Sequence, residues 1–420
     1  MTPEGWRASI LKDLIAKVAT GVSVNSEGRP RGQGEVGVLK TSAVSYGVFR
    51  PEENKVVRAD DHHRARLNPK KDSVLVSRMN TLSLVGASAY VDRDWPDLVL
   101  PDRIWALTPN RARAHGRWLH YLLSSATVRR ALIDAAAGTS GSMKNISQER
   151  FLGLQVLEPP LPEQRKIATI LSSVDDTIEK TQAVIDQVQV VQTSLMQELL
   201  TRGRPGRHAK FKKTEIGEIP EEWGVAPFGH VVEQVKRPVS VLPHMTYREI
   251  GVRSHGKGVF HKEPVTGSQL GEKKVFWVEP GCLVLNIVFA WERAVAWTAD
   301  PEDGMIASHR FPMFKPRHGI ADLRFLTLFL LSHVGHRALQ SVSPGGAGRN
   351  KTLNQGAFLK LPVPLPPLEE QQAIGVGYQV AADRLRADER TLGTLRAVRA
   401  GLMHLLLTGE VRVLSGPETT

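Results

Sequence analysis

Cysteine is almost absent from this sequence, and its scarcity excludes several kinds of protein. Cys282 is the only cysteine among 420 residues, so neither a disulfide within the chain nor a cysteine-based zinc site can form. It lies in the apolar run CLVLNIVF, where we expect a small core residue. The first residues lack the apolar core of a signal peptide. The longest apolar runs, such as 325–331, are too short to span a bilayer, so we expect a protein of the reducing cytoplasm with no membrane contact.

The motifs of several enzyme classes are also missing. A GxGxxG occurs at residues 32–37, but VLKTS follows it and predicts a strand, whereas dinucleotide binding requires a helix there. His62 and His63 lie in the charged stretch ADDHHRAR without a suitably spaced third ligand, which favours a solvated loop. There is no GxxxxGK[ST] phosphate loop, and the Pro-Pro pairs at 159–160 and 366–367 lie outside any adenine methyltransferase motif. We therefore expect no catalytic residues, no metal and no cofactor in this chain.

Positive charge, by contrast, is in excess. The chain has 55 Lys and Arg against 43 Asp and Glu, a formal net charge of +12. This balance makes a polyanion such as nucleic acid a plausible partner. Charge alone does not exclude a basic protein without such a role.

The sequence is a tandem repeat. Residues 151–167 read FLGLQVLEPPLPEQRKI and residues 358–374 read FLKLPVPLPPLEEQQAI; they lie 207 positions apart, with 10 of 17 positions identical. The two starts also agree, with PEGW at 3–6 and PEEW at 220–223. Each copy therefore runs from a tryptophan-marked start to a proline-rich motif and a final segment.

Each final segment predicts a long helix with a heptad seam. The seam residues of the two copies are Ile167, Leu171, Val174, Ile178, Ile185, Val188, Leu195 and Leu199, then Ile374, Tyr378, Ala381, Leu385, Leu392, Leu395, Leu402 and Leu406. Polar residues fill the same two slots in both, Thr181 and Gln192 in one and Asp388 and Arg399 in the other. We interpret this shared register as pairing of the two helices, with the polar slots setting alignment; the alternative is that each helix covers only its own domain.

The two helices differ in composition. A helix over 163–201 is about 58 Å long at 1.5 Å per residue, which suits a spacer. The second helix contains Gly375, Gly377, Gly393 and Gly401, and each interior glycine costs about 1 kcal/mol. The sequence thus predicts a second helix that is weak or kinked unless partners cover it.

The preceding regions mix short strands and a few helices in an α+β pattern. Predicted strands are Gly37–Thr41, Ser73–Ser77, Arg103–Leu107, Thr246–Val252, Val275–Val278 and Leu283–Phe289; predicted helices are Gly116–Ala137 and Leu323–Val342. A basic segment, Thr201–Lys213, lies between the copies. It is either a solvated linker or an additional phosphate contact.

Candidate DNA-contacting residues are the cations and the glycine-rich loops. Arginine and lysine pair with guanine edges, and flexible backbone amides approach phosphates, although the loops are equally interpretable as plain turns. The candidates are Lys40, Arg58, Arg64, Arg66, Arg78, Arg103 and Lys144 in copy one, and Arg248, Arg253, Lys257, Arg293, His309, Arg310, Arg349 and Lys351 in copy two.

The combination of these motifs resembles the specificity subunit of type I restriction–modification systems. The resemblance rests on PLPEQ and PLEEQ at the helix starts, on the endings LLTRG and LLLTGE, and on IGEIPEEWGVAPFG and YREIGVRSHGKGVF in copy two. It implies an α+β tandem repeat of two target recognition domains, each followed by a long helix, with the helices packed as an antiparallel coiled coil. The implied domains are recognition domain 1 (1–156), central helix (157–203), basic linker (204–214), recognition domain 2 (215–363), C-terminal helix (364–409) and flexible tail (410–420).

The resemblance also implies a function. The two recognition domains read the halves of a split site on double-stranded DNA, and the helices set the spacing between them. Two methyltransferase subunits bring S-adenosylmethionine, and motor–nuclease subunits that use ATP and Mg²⁺ can join; this chain binds none of these cofactors and is not an enzyme. Because the two domains differ in sequence, we expect an asymmetric target. The alternatives are a stand-alone DNA-binding regulator, a self-contained modification enzyme and a coiled-coil scaffold.

Overall fold

The chain folds as two compact units in a computed structural model, which describes residues 2–45, 47–136, 143–345 and 351–413. Unit 1 consists of Met1–Thr181 together with Thr391–Thr420, and unit 2 consists of Gln182–Arg390. Among the described residues, no helix has both the length and the hydrophobicity to cross a membrane.

Unit 1 is built around a four-stranded antiparallel sheet in the order β2-β9-β5-β7. Its strands are β1 (Arg7–Ile10), β2 (Ile15–Thr20), β3 (Gly37–Leu39), β4 (Asn54–Val56), β5 (Val74–Ser77), β6 (Met79–Asn80), β7 (Ser88–Tyr90), β8 (Leu98–Val99), β9 (Ile104–Pro109), β10 (Lys144–Asn145) and β11 (Gln155–Glu158). Its helices are α1 (Leu11–Leu14), α2 (Gly116–Ser124), α3 (Ala126–Ala135), α4 (Gln148–Leu152) and α5 (Leu161–Arg202), which continues into unit 2. Trp105, Trp118 and Phe151 are buried in its core.

Unit 2 repeats this plan, with the sheet order β15-β24-β21-β22. Its strands are β12 (Phe211–Thr214), β13 (Gly217–Pro220), β14 (Gly224–Pro227), β15 (Val232–Val235), β16 (Thr246–Tyr247), β17 (Ile250–Val252), β18 (Val259–His261), β19 (Val265–Thr266), β20 (Val275–Trp277), β21 (Leu283–Leu285), β22 (Val295–Trp297), β23 (Ile306–Ser308), β24 (Met313–Pro316) and β25 (Pro362–Leu365). Its helices are α6 (Phe228–Val231), α7 (Gly267–Leu270), α8 (Leu323–Leu331), α9 (His333–Ser341), α10 (Gln355–Phe358) and α11 (Leu368–Thr408), which ends in unit 1. Cys282 is buried in this unit, and burial raises the pKa of its thiol to about 12.

The single helices predicted over Gly116–Ala137 and Leu323–Val342 are each two helices instead. Ser125 separates α2 from α3 and Ser332 separates α8 from α9, both with extended backbone. Each serine side chain accepts a hydrogen bond from a backbone N–H of the next helix. A serine that caps a new helix in this way ends the preceding one, and apolar periodicity does not reveal that break.

The long helices form as predicted, and α11 is continuous over 41 residues despite its glycines. One glycine has a packing role. A Cβ on Gly375 would lie 2.8 Å from Cβ of Arg324 and 2.9 Å from Oδ1 of Asp322. The missing side chain therefore lets α11 approach the start of α8, and this packing supports the helix.

The two long helices are antiparallel in unit 1. Glu163, near the start of α5, bonds to Arg412, just beyond the end of α11, with a distance of 2.8 Å between Oε1 and Nε. Further along α5, Asp175 forms an ion pair with Arg399, one of the predicted polar slots. The hydroxyl of Tyr121 also donates to Asp175, at 2.8 Å. The polar slot is thus filled by a cross-helix ion pair anchored to the domain.

Most seam residues are buried or half-buried. Ile167, Leu171 and Leu406 lie in the core of unit 1, and Ile374 lies in that of unit 2. Leu195 departs from the prediction, because 41% of its surface is exposed. Met196 packs on the core instead, since a straight helix of 3.6 residues per turn drifts by about 20° per heptad from a 3.5-residue seam.

A buried Glu–Gln pair at the start of α5 joins the helix to the domain. The carboxylate of Glu163 accepts from Nε1 of Trp6 at 3.0 Å, in addition to its bonds with Arg412. The amide of Gln164 accepts from the backbone N–H of His115 at 2.8 Å. It also donates to the carbonyls of Arg113 and Pro159. The glutamate and glutamine of the repeated motif therefore also hold the start of α5 to the rest of unit 1.

The start of α11 has the same arrangement. Glu370 accepts from Nε1 of Trp223 at 3.2 Å, and Gln371 bonds to the backbone N–H of Asp322 at 2.9 Å. Further partners of Glu370 come from the segment after α5, where Nε2 of His208 lies 3.0 Å from its Oε1 and the Arg207 guanidinium lies 3.7 Å from its Oε2. The buried carboxylate of Glu370 thus holds His208 of this segment, and residues 211–213 belong to β12, whereas residues 204–207, 209 and 210 are exposed. The choice between a solvated linker and a phosphate contact stays a prediction.

We expect Glu163→Gln to destabilise unit 1 by about 2 kcal/mol, because a charge-assisted hydrogen bond to Arg412 is lost while the shape is kept. Urea unfolding followed by tryptophan fluorescence measures this. Glu179→Gln, an exposed change on the same helix, is the matched control. Equal midpoints for both variants would contradict a stabilising role for the buried carboxylate.

Acid should destabilise both units through these carboxylates. Burial alone raises the pKa of Glu163, but hydrogen bonds from Arg412 and Trp6 outweigh it and hold that pKa below the ordinary 4.5. The pKa of Glu370 is lowered in the same way, mainly by His208. A depressed pKa contributes stability above the unfolded value and loses it as pH falls through the folded value. Unfolding free energy should therefore fall below about pH 4.5, and less steeply in Glu163→Gln; parallel curves would contradict this.

Candidate nucleic-acid interface

Three predicted cations of unit 1 meet at one end of its main sheet. β5 ends and β9 begins at this end, and the residues just outside them, Arg78 and Arg103, are joined by a backbone hydrogen bond of 3.0 Å. β10, which carries Lys144, pairs with β6, and Ile146 donates its backbone N–H to the carbonyl of Arg78. Arg103 is exposed, and Nε of Arg78 is buried without a hydrogen-bond partner among the described residues. We call this site the basic edge.

Unit 2 has the same basic edge. The carbonyl of Arg310 accepts from the N–H of Ile287, as that of Arg103 does from Arg78, and Leu353 donates to Ile287 as Ile146 does to Arg78. Lys351 matches Lys144 in sequence, and its Nζ lies 4.9 Å from the ring centroid of Trp291. The two basic edges therefore share the same backbone hydrogen bonds and two cations. Ile287 of unit 2 replaces the third cation, Arg78 of unit 1.

A hairpin adds further cations to unit 2. β17 and β18 carry Arg253 and Lys257 at their tip. The tip docks on the turn at Arg293, where Gly256 donates its N–H to the Arg293 carbonyl at 2.9 Å. Arg293 has a left-handed backbone (φ 59°) and a buried Nε without a partner in the described chain. These three predicted residues lie close together, next to Trp291.

The remaining candidates of copy one lie on other elements. Lys40 forms an ion pair with Glu53, with 3.5 Å between Nζ and the carboxylate. Arg58, Arg64 and Arg66 surround the 3-10 helix Ala59–Asp61 and are exposed. The structure does not bring this group to the basic edge.

In copy two, Arg248 donates from Nε to the carbonyl of Lys262 at 3.0 Å, and His309 is exposed beside Arg310. Arg349 and most of the glycine-rich loop around it lie outside the described residues, as do residues 137–142 of the corresponding loop in copy one. Their predicted phosphate contacts stay predictions. Among the described residues, no three His, Cys, Asp or Glu side chains are grouped to hold a metal ion.

Sequence reasoning missed Trp291, which offers an aromatic face beside Lys351 and the arginine turn. A base can stack on such a face. The sequence AWER could have indicated this residue, since a tryptophan between alanine and glutamate is unusual for a surface turn. Only the fold, however, places it at the basic edge. The arrangement presents cations and an aromatic ring, and it can hold a polyanion.

Comparison with known proteins gives one family. The family model "Type I restriction modification DNA specificity domain" matches residues 3–190 and 286–377. A protein of Methanocaldococcus jannaschii named for the type I restriction enzyme MjaX specificity subunit is 24% identical over 417 residues, 98% of this chain and 95% of that one. The MjaVIII specificity subunit from the same organism is 25% identical over 304 residues, 70% of each chain.

Two solved structures share the fold. The S subunit of a type I restriction–modification system from M. genitalium superposes with a TM-score of 0.62 at 13% identity, covering 97% of this chain and 99% of that one. A chain from a structure concerned with complex assembly and conformational transition of the type I R-M system gives 0.52 at 16% identity, covering 98% and 100%.

Proposed function

This chain belongs to the type I restriction modification DNA specificity family, and on that premise we propose that it recognises DNA as the specificity subunit of a type I restriction–modification complex. It directs adenine methylation and DNA cleavage by partner subunits to a bipartite, asymmetric site. Two methyltransferase subunits supply S-adenosylmethionine chemistry, and motor–nuclease subunits supply ATP- and Mg²⁺-dependent cleavage. The chain itself contributes recognition only.

The observation that carries the proposal is the basic edge, present once in each unit. Arg103 and Arg310 hold equivalent positions, and so do Lys144 and Lys351. Cations at a shared position suit contacts to phosphate, which every DNA sequence offers. Arginine at such an edge can also reach guanine.

What surrounds the two edges supports an asymmetric target. Unit 1 has Arg78 where unit 2 has Ile287, and unit 2 adds the hairpin tip and Trp291. Two readers with different donors and different aromatic content select different bases. A palindromic site requires equal readers, and these are unequal.

Arg103→Gln and Arg310→Gln should each weaken binding at one half-site. A lost guanine contact costs about 1–3 kcal/mol, while a lost phosphate contact lowers the salt slope by about one. Affinity is measured for the chain with its methyltransferase partners, on duplexes carrying both half-sites or either one altered. Arg130→Gln, an exposed arginine of α3, is the control.

The proposal predicts that the losses of affinity from the two substitutions depend on different half-sites. The loss from Arg103→Gln should disappear on the duplex in which its own half-site is already altered, and that from Arg310→Gln on the other. Penalties that stay the same on every duplex would assign both arginines to phosphate and contradict base reading by them. An affinity insensitive to salt would contradict DNA binding as such.

Modification-sensitive sequencing of host DNA tests the complex-level role. With the gene present, methylated adenines should occur at one split, asymmetric motif, and they should vanish on its deletion. The gene with both arginine substitutions should restore methylation only weakly. If no methylated motif depends on the gene while the chain still binds DNA, a stand-alone regulator replaces this proposal.

A further inference from the structure

A cavity of about 270 Å³ lies in unit 1 at the end of the main sheet opposite the basic edge. Residues 70–73 precede β5, and Arg111 follows β9, whereas the basic edge lies after β5 and before β9. Because these strands are antiparallel neighbours, the two sites occupy opposite ends of the sheet. The start of α5 closes the cavity with Leu161 and Arg165.

The lining of this cavity is cationic. Its lining includes four basic side chains, those of Lys70, Lys71, Arg111 and Arg165, and one acidic side chain, that of Asp72. The carboxylate of Asp72 already accepts from the Tyr90 hydroxyl at 2.5 Å. Asp72 also pairs with Arg111, with 3.9 Å between Oδ2 and Nη2. Beside this pair the lining has three further cations, Lys70, Lys71 and Arg165.

The start of α2 also lines this cavity, through His115 at its N-cap and Gly116 at its first position. The first backbone N–H groups of a helix have no partner within it and attract anions. His115, at the N-cap, makes no side-chain capping bond. Its Nδ1 is buried and lacks a hydrogen-bond partner among the described residues.

The repeat supplies an internal comparison for this helix start. Asp322 holds the position of His115 in unit 2, and its Oδ1 accepts from the N–H groups of Arg324 and Phe325 at 2.9 and 3.0 Å. In both copies the backbone N–H of this residue is held by the glutamine of the repeated motif. One copy thus provides its own carboxylate where the other provides a cationic cavity.

We propose that this cavity of unit 1 binds a phosphate group, which takes the place that the Asp322 carboxylate occupies in unit 2. The backbone N–H of Gly116 at the start of α2 and the surrounding lysines and arginines are its donors. The ligand is a small phosphate-bearing molecule, because the group lies in a cavity and at the end of the sheet away from the basic edge. This inference does not depend on the proposed function.

The test is calorimetric titration of inorganic phosphate into the full chain at fixed ionic strength and pH 7.5. We expect saturable binding at one site per chain. His115→Asp gives unit 1 the capping carboxylate of unit 2, so it should fold normally and lower phosphate affinity at least about tenfold. His244→Asp, the same change at an exposed position of unit 2, should leave the affinity unchanged.

A second variant keeps the test decisive if His115→Asp folds poorly. Lys71→Gln combined with Arg165→Gln should also weaken phosphate binding at least about tenfold, without touching the helix start. The proposal is overturned if the wild-type chain shows no saturable binding, or if the cavity variants bind phosphate as the wild type does.

Duplex DNA identifies the source of the phosphate group once binding is established. For a small free ligand, phosphate at saturation leaves duplex affinity unchanged, and His115→Asp binds the duplex as the wild type does. Competition between phosphate and the duplex, relieved in His115→Asp, would show that the cavity takes a backbone phosphate and would overturn the assignment to a small molecule.

Discussion

Burial of an ionised glutamate beside a glutamine, at the first turn of each long helix, is the constraint on which the rest of the structure depends. A carboxylate removed from water is costly unless hydrogen bonds and a cation surround it. Glu163 meets this need with a tryptophan from the start of its copy and an arginine from beyond the opposite helix. Glu370 meets it with Trp223, His208 and Arg207. Each site thus fastens three distant stretches of chain at one point.

The adjacent glutamines extend this fastening into the domains. Gln164 and Gln371 are fully buried, and each bonds the residue that precedes α2 or α8. These helices pack on the main sheets, so the position of the sheet follows from the start of the long helix. Because the sheet is held at this end, the side chains at its other end can differ between the two units. The two basic edges accordingly share their backbone hydrogen bonds and differ in the side chains around them.

The sequence predicted the elements that depend on local periodicity and on the repeat. It located both long helices to within a few residues, and the offset of 207 positions indicated that the chain contains two copies of one fold. It did not reveal the breaks at Ser125 and Ser332, because a capping serine inside an apolar run looks like any helical serine. The shift from Leu195 to Met196 was also missed, because a fixed heptad does not represent the 3.6-residue period of a straight helix.

The candidate site was predicted less completely, for a physical reason. Arg78, Arg103 and Lys144 are far apart in sequence, and only strand pairing brings them together. Composition could not distinguish them from Lys40, whose charge is engaged by Glu53. The hairpin contact at Arg293 requires a left-handed backbone that a non-glycine residue rarely signals in advance.

The division of the chain also fixes an order of events during synthesis. Unit 2 is a continuous stretch, Gln182–Arg390, whereas unit 1 requires its first 181 residues and the last 30. On the ribosome, all residues of unit 2 are therefore available first, and unit 1 waits until residues 391–413, which include Arg412, have been made. Until Arg412 emerges, Glu163 lacks its cation, so a nascent or truncated chain carries one finished unit and one unfinished unit.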